Sequence, residues 1–113
     1  MHEMALARSI VEIVEEHAVR ASAKSVRIIR LSIGALSHVE PRALEFGFEA
    51  VAHGTVAEGA NLVIERPAGK AWCTDCSEEV GVASRAAPCP KCGGHKWVLT
   101  EGDDMRVVDL EVD

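Results

Sequence analysis

All four cysteines of this chain lie in two Cys-x-x-Cys pairs, Cys73 with Cys76 and Cys89 with Cys92, and twelve residues separate the pairs. A pair at this spacing places two thiolates on one tight turn. Two such turns at the ends of a short hairpin can converge on a tetrahedral site. Thiolates select zinc, and a closed shell of four cysteines leaves no coordination position open for catalysis. The sequence therefore predicts a structural zinc site.

The segment around the pairs cannot supply much of a hydrophobic core. A piece this short rarely folds without a metal or disulfides. No secretory signal is recognised, so we expect a reducing compartment, in which paired thiols more often bind metal or do redox work. Disulfides and a redox dithiol are the alternatives to zinc. The sizeable apolar residues between positions 70 and 100 are Trp72, Val80, Val82, Trp97, Val98 and Leu99.

Length and charge limit the classes of function. A chain of 113 residues is one compact unit, or a small domain with a metal-bound insert. Its formal net charge of −6 argues against nucleic-acid binding, which calls for a basic face. No apolar run approaches the length of a membrane span. We therefore expect a cytoplasmic protein with neither nucleic acid nor membrane as a partner.

Hydrophobic periodicity predicts an α/β fold. Leu6, Ile10 and Val14 recur at helical spacing, and His17 continues the same row, so we expect a packed, hydrogen-bonded histidine there. Pro41 is placed to open a second helix, which Gly54 would end. The predicted elements are a helix from about Glu3 to Ala21, a strand Val26–Ile33, a helix from Pro41 to about His53, and strands Leu62–Arg66 and Met105–Val112.

This order predicts a small mixed three-stranded sheet with two helices and an inserted zinc-ribbon-like four-cysteine domain. The α/β domain would comprise residues 1–68 and 103–113, and the zinc-binding domain residues 69–102. Because the insert is a separable unit, it could swap between chains, so a homodimer is one expected form of the protein.

The first three residues offer nitrogen ligands along one short stretch of backbone. The Met1 amine, the deprotonated His2 amide and the His2 imidazole can enclose a cation in fused chelate rings, with the Glu3 amide or a water completing the set. Tetragonal nitrogen sites favour Ni(II) or Cu(II). The dipeptide alone is weak evidence, because a histidine often follows an initiator methionine without any such role.

Several blocks of sequence together resemble the HypA/HybF family of hydrogenase nickel-incorporation proteins. The resemblance runs from end to end and rests on MHEMALA at 1–7, IGALSHVEP at 33–41, GTVAEGA at 54–60, the two cysteine pairs and LEV at 110–112. It implies a metallochaperone, not an enzyme, that delivers Ni(II) to the large subunit of a [NiFe]-hydrogenase together with the accessory GTPase HypB. It also implies an α/β nickel domain around the N-terminus and a separate zinc domain.

The resemblance also assigns the metal ligands by position. Nickel is implied at His2, with backbone nitrogens from Met1 and Glu3. Zinc is implied at Cys73, Cys76, Cys89 and Cys92. Two other functions follow from the residues alone: a zinc-ribbon interaction or nucleic-acid-binding module without nickel, and a thiol oxidoreductase. Neither accounts for the N-terminal histidine.

Overall fold

The computed structural model of this chain describes residues 3–113, so Met1 and His2 lie outside it. Both predicted helices and all three predicted strands are confirmed to within one residue at each end. Three further strands lie in the cysteine-bearing segment. The elements are α1 (Glu3–Arg20), β1 (Val26–Ile33), α2 (Pro41–Ala52), β2 (Asn61–Glu65), β3 (Gly69–Cys73), β4 (Glu78–Val82), β5 (Trp97–Glu101) and β6 (Met105–Val112).

The strands form two three-stranded sheets, one in the order β2-β1-β6 and the other in the order β4-β3-β5. Lys24 N donates to Asp113 O (3.1 Å) and Gly34 N donates to Asp104 O (2.8 Å), so β6 runs antiparallel to β1. In the second sheet β3 pairs antiparallel with both β4 and β5. The predicted α/β class with an inserted four-cysteine region is confirmed.

The chain divides into two compact units. Unit 1 comprises residues 1–31, 38–64 and 107–113, of which the structure describes residues from 3 onward, and unit 2 comprises residues 32–37 and 65–106. Helices α1 and α2 pack together in unit 1, and Gly47 lies at their contact: a Cβ there would be in ordinary van der Waals contact with Met4 Sδ (3.6 Å) and Ala7 Cβ (3.8 Å). The aliphatic core includes Ile10, Val14, Ile29, Leu31 and Leu44, each fully buried.

Helix α2 begins where the sequence predicts because two local signals coincide. Pro41 occupies the first turn, where its missing N–H costs no hydrogen bond. Glu40 caps the helix, and its carboxylate accepts from Ala43 N at 2.7 Å.

The prediction for His17 is wrong, because this side chain is exposed. The buried stripe of α1 follows the i, i+4 row through Leu6, Ile10, Val14 and Ala18. At 100° per residue, each i, i+4 step turns the buried row slightly around the helix axis. In the last turn the row has therefore moved to Ala18, which is buried, and away from His17, which is exposed.

Unit 2 is built on the second sheet and on three closely packed glycines. A Cβ on Gly34 would lie 2.1 Å from Gly102 O, and one on Gly69 would lie 2.4 Å from Leu36 Cδ1 and 2.6 Å from Val82 O. Gly102 itself has φ +100°, which L side chains rarely adopt. Backbone thus contacts backbone here, and Leu36 N donates to Gly102 O at 2.7 Å.

Candidate metal centre

The first cysteine pair lies at the turn between β3 and β4. Cys73 is the last residue of β3 and faces inward, because the strand alternates buried and exposed positions. The turn that follows carries Cys76 and reverses through Ser77, whose φ is +52°. The strand register therefore places one thiol, and the turn places the other.

The second pair lies on a loop before β5 that is closed by its own backbone. Gly93 N donates to Cys89 O (2.8 Å), and Cys89 N donates to Gly94 O (2.7 Å). Gly93 has φ +73°, a conformation that glycine adopts at no steric cost. This turn brings Cys89 and Cys92 to the same side of the loop.

Two contacts that sequence reasoning missed secure the two turns. Thr74 donates to Lys96 O through both its amide (3.0 Å) and its hydroxyl (2.9 Å). Trp97 Nε1 donates to Ala87 O at 2.9 Å. The hydrogen-bond donor of each side chain could have indicated these contacts, since a half-buried indole N–H or a hydroxyl beside a ligand usually donates to an acceptor.

The four sulfur atoms converge at the distances of a tetrahedral thiolate site. All lie within 4.8 Å of one another. Cys73 Sγ is 3.7 Å from Cys92 Sγ, and Cys76 Sγ is 3.9 Å from Cys89 Sγ. Zinc–sulfur bonds of about 2.3 Å in a tetrahedron separate the sulfurs by about 3.8 Å. A disulfide would need about 2.05 Å, and all four cysteines are free thiols. The donor set fits a metal ion.

The electrostatics of the thiols also fit a cation. The pKa of Cys89 is lowered to about 7, chiefly because the backbone N–H groups of Cys92 and Lys91 point at its sulfur. The pKa of Cys76 is raised to about 12 by its side-chain hydrogen bond with Cys92 and by burial. Without a metal one thiol ionises near neutrality while its neighbour keeps its proton. A divalent cation would be needed to hold all four as thiolates.

Burial of the cysteines is graded. Cys73 and Cys89 are buried, Cys76 is half-buried and Cys92 is exposed. Beside the site, Lys91 forms an ion pair with Glu78, and this contact raises the pKa of the lysine. Two of the six buried side chains of the unit 2 core are thiols; the others are Leu36, Ala71, Val80 and Val82. The site is therefore part of the core as well as a ligand set.

The predicted nickel ligands are only partly described. Met1 and His2 lie outside the described residues, and Glu3 is the first residue of α1. The Glu3 carboxylate accepts from Glu40 N at 3.2 Å, which joins the beginnings of α1 and α2. His38, His53 and His95 are exposed. The nickel site remains a prediction.

The fold and the thiolate cluster together define a small metal-binding protein with an α/β unit and a four-cysteine unit. A family model described as "Hydrogenase/urease nickel incorporation, metallochaperone, hypA" matches residues 1–112. The chain belongs to this family, whose members are metallochaperones rather than enzymes.

Individual relatives agree with that assignment. The chain is 50% identical to the hydrogenase maturation factor HypA of Rhodopseudomonas palustris strain TIE-1 and 52% identical to HypA 2 of Bradyrhizobium diazoefficiens, over the full length of every chain. Its fold is similar to the solution structure of the nickel metallochaperone HypA from Helicobacter pylori, with a TM-score of 0.72 and 27% identity. That match covers 99% of this chain and 97% of the other.

No helix among residues 3–113 has the length and apolar character needed to cross a membrane.

Proposed function

We propose that this chain binds Ni(II) through His2, with backbone nitrogens from Met1 and Glu3, and delivers it to the precursor of a [NiFe]-hydrogenase large subunit. Zinc is held by Cys73, Cys76, Cys89 and Cys92 and is structural. The protein acts in the cytoplasm with the accessory GTPase HypB. The observation that carries the proposal is the family match, which begins at residue 1 and includes the Met-His-Glu start.

The chemistry of the start supports nickel as cargo. An amine, an amide nitrogen and an imidazole form a nitrogen set that suits tetragonal Ni(II). The next residue along the chain is anchored, since the Glu3 carboxylate accepts from Glu40 N at the start of α2. The four cysteines already fill a tetrahedral shell, so they leave no open position for an exchanging ion.

The test is a nickel titration of the untagged protein. We expect one nickel ion per chain, and His2→Ala should abolish binding without change in fold or zinc content. His38→Ala is the matched control, because His38 is an exposed histidine of unit 1 that is not among the proposed nickel ligands. The proposal requires a free Met1 amine, so an N-terminal extension should damage nickel binding and a C-terminal one should not. Normal binding by both the extended protein and His2→Ala would place the site elsewhere.

Nickel binding should also weaken as pH falls below neutrality. The amine has a reference pKa of about 7.7–8.0, the amide must lose its proton as the metal enters, and protons compete for the imidazole. A titration series between pH 8 and pH 6 measures this, and pH-independent binding would contradict an amine–imidazole ligand set.

Delivery requires transient complexes with HypB and with the immature large subunit. We propose that the exposed face of α1 contacts HypB, because α1 directly follows the proposed nickel ligands along the chain. Arg8 and Glu12 are exposed on this face. Charge reversal at both positions should weaken HypB binding in a pull-down with purified proteins, and unchanged binding would move the contact to another surface.

A further inference from the structure

The second half of α2 exposes an aromatic side chain that the fold does not use. Phe46 is 76% exposed, whereas Phe48 two residues later is 3% exposed and part of the core. Ala43 and Ala50 are exposed at three residues before and four residues after Phe46. At that helical spacing the three side chains form one apolar stripe on the solvent side.

Carboxylates border this stripe. A shallow depression of about 470 Å³ is lined by Phe46, Glu49, Ala50 and His53. A second groove of about 570 Å³ runs from α2 to the start of β2, and its charged or titratable lining residues are Glu45, Glu49, His53 and Glu58. Within residues 3–113, neither depression is lined by a lysine or an arginine. The two depressions are thus adjacent and carry negative charge at neutral pH.

The C-terminal end of α2 adds to the negative electrostatic potential at the two depressions. The last turn of α2 contains no basic residue, so the partial negative charge of its carbonyl groups is not offset there. Glu58 is positioned across the same end: its Oε1 accepts from Gly54 N (2.9 Å) and lies 2.8 Å from His53 Nδ1. Arg42, the basic residue of α2, is in its first turn, at the opposite end.

We infer that the C-terminal half of α2 is a docking surface for a partner protein segment that presents an apolar side chain next to lysine or arginine. The apolar side chain would cover Phe46 and Ala50, and the cations would lie along Glu45, Glu49 and Glu58. Aromatic side chains at exposed positions carry a large share of binding energy once covered. A carboxylate border selects a cationic partner and rejects an acidic one.

This inference rests on the proposed function only in that a metallochaperone must dock to an acceptor. The surface consists of residues other than the proposed nickel and zinc ligands, so docking and metal binding are separable by mutation.

The probe is a set of three acetylated and amidated twelve-residue peptides. The first combines leucine with lysine, the second replaces lysine by glutamate, and the third replaces leucine by serine. Binding to the zinc-loaded, ¹⁵N-labelled protein is followed by amide chemical shifts. We expect the leucine–lysine peptide to bind, with shifts confined to residues 42–62. The glutamate peptide should not bind, and the serine peptide should bind at least about tenfold more weakly.

Variants assign the interaction to this surface. Phe46→Ala should weaken the leucine–lysine peptide by about tenfold, and Glu49→Gln should reduce both its affinity and the dependence of that affinity on salt. The matched control is on α1, where Val19 is 78% exposed and lines a depression with Glu12, Glu15 and Glu16 but also with Arg20. Val19→Ala and Glu15→Gln should leave peptide affinity unchanged.

Two outcomes would overturn the inference: equal binding of the glutamate peptide, or loss of affinity in the α1 variants that matches the loss in the α2 variants. The second outcome would mean that the peptide binds non-specifically, through the net charge of −6, and not at the surface of α2. Nickel titration separates this inference from the proposed function. Phe46→Ala should bind nickel normally and His2→Ala should bind the peptide normally, so either idea can fail alone.

Discussion

Unit 1 and unit 2 of this chain differ in how their cores are built. Unit 1 packs two helices on a sheet around fully buried aliphatic side chains such as Ile10, Ile29 and Leu44. Unit 2 has a core of six buried residues, and two of those are Cys73 and Cys89. A core of the first kind depends on packing, whereas one of the second kind depends on whatever holds its thiols together.

The two units should therefore be destabilised by different kinds of substitution. Unit 1 should lose stability in proportion to the apolar volume removed from it. Unit 2 should unfold when a single zinc ligand is lost, because apparent zinc-binding free energies of small sites are about 10 kcal/mol or more and are largely folding free energy.

The largest effect is expected from a ligand substitution. Cys73→Ala should abolish zinc binding and unfold unit 2, while the α1–α2 pair of unit 1 remains folded, and amide shifts together with zinc analysis would measure both. His95→Ala is the control, because His95 is exposed and three residues from Cys92. Purified wild-type protein without zinc and with both cysteine pairs oxidised would contradict this account of unit 2.

A core truncation in unit 1 should give the next largest effect. Leu44 is fully buried, so Leu44→Ala should lower the free energy of unfolding by about 2–5 kcal/mol through lost burial and a residual cavity. Chemical denaturation monitored on unit 1 measures the loss, with zinc content determined in parallel. Zinc should remain stoichiometric, and its loss would show that the two units do not fold independently.

Acidification should affect unit 2 through the thiols. Zinc binding displaces the thiol protons that remain, so affinity should fall as pH falls. Because the pKa of Cys89 is lowered to about 7, this thiol carries a proton below that pH and has lost it above. The pKa of Cys76 is raised to about 12, so this thiol keeps its proton both above and below neutrality. Zinc affinity measured by competition with a chelator should therefore fall steadily between pH 8 and pH 6, and an affinity that does not change with pH would contradict thiolate ligation.

The smallest effect is expected at the partly exposed ion pairs between β1 and β6. Arg30 pairs with Asp109 at 2.7 Å and also with Glu111, and these contacts raise the pKa of its guanidinium. Because these groups are solvated, Arg30→Gln should lower the melting temperature only slightly, and added salt should remove the difference. A large, salt-independent loss would mean that Arg30 belongs to the packing of unit 1.

The sequence predicted the elements of unit 1 well because its signals are local. Helical spacing, the proline at the start of α2 and runs of β-branched residues each indicate an element without reference to the rest of the chain. The error at His17 has a geometric cause: several rows of a helix share one face, and the partner helix and sheet decide which row is buried.

The convergence of the four thiols was predictable from the sequence, but the contacts that support the two turns were not. Cysteine spacing indicates four thiols at one ion, whereas the strands β3 to β5 have few apolar residues from which to read alternation. The hydrogen bonds of Thr74 and Trp97 depend on how the two turns meet, which is a tertiary property. The close packing of Gly34, Gly69 and Gly102 is likewise invisible in sequence, because those residues are far apart along the chain.

The most direct test of the account is a nickel titration of untagged Cys73→Ala with zinc measured in the same samples. We expect zinc to be absent while one nickel ion per chain still binds, and we expect the addition of His2→Ala to this variant to remove nickel binding. Loss of nickel together with zinc in Cys73→Ala alone would contradict the account, because it would place the transported ion at the cysteines or make its site depend on unit 2.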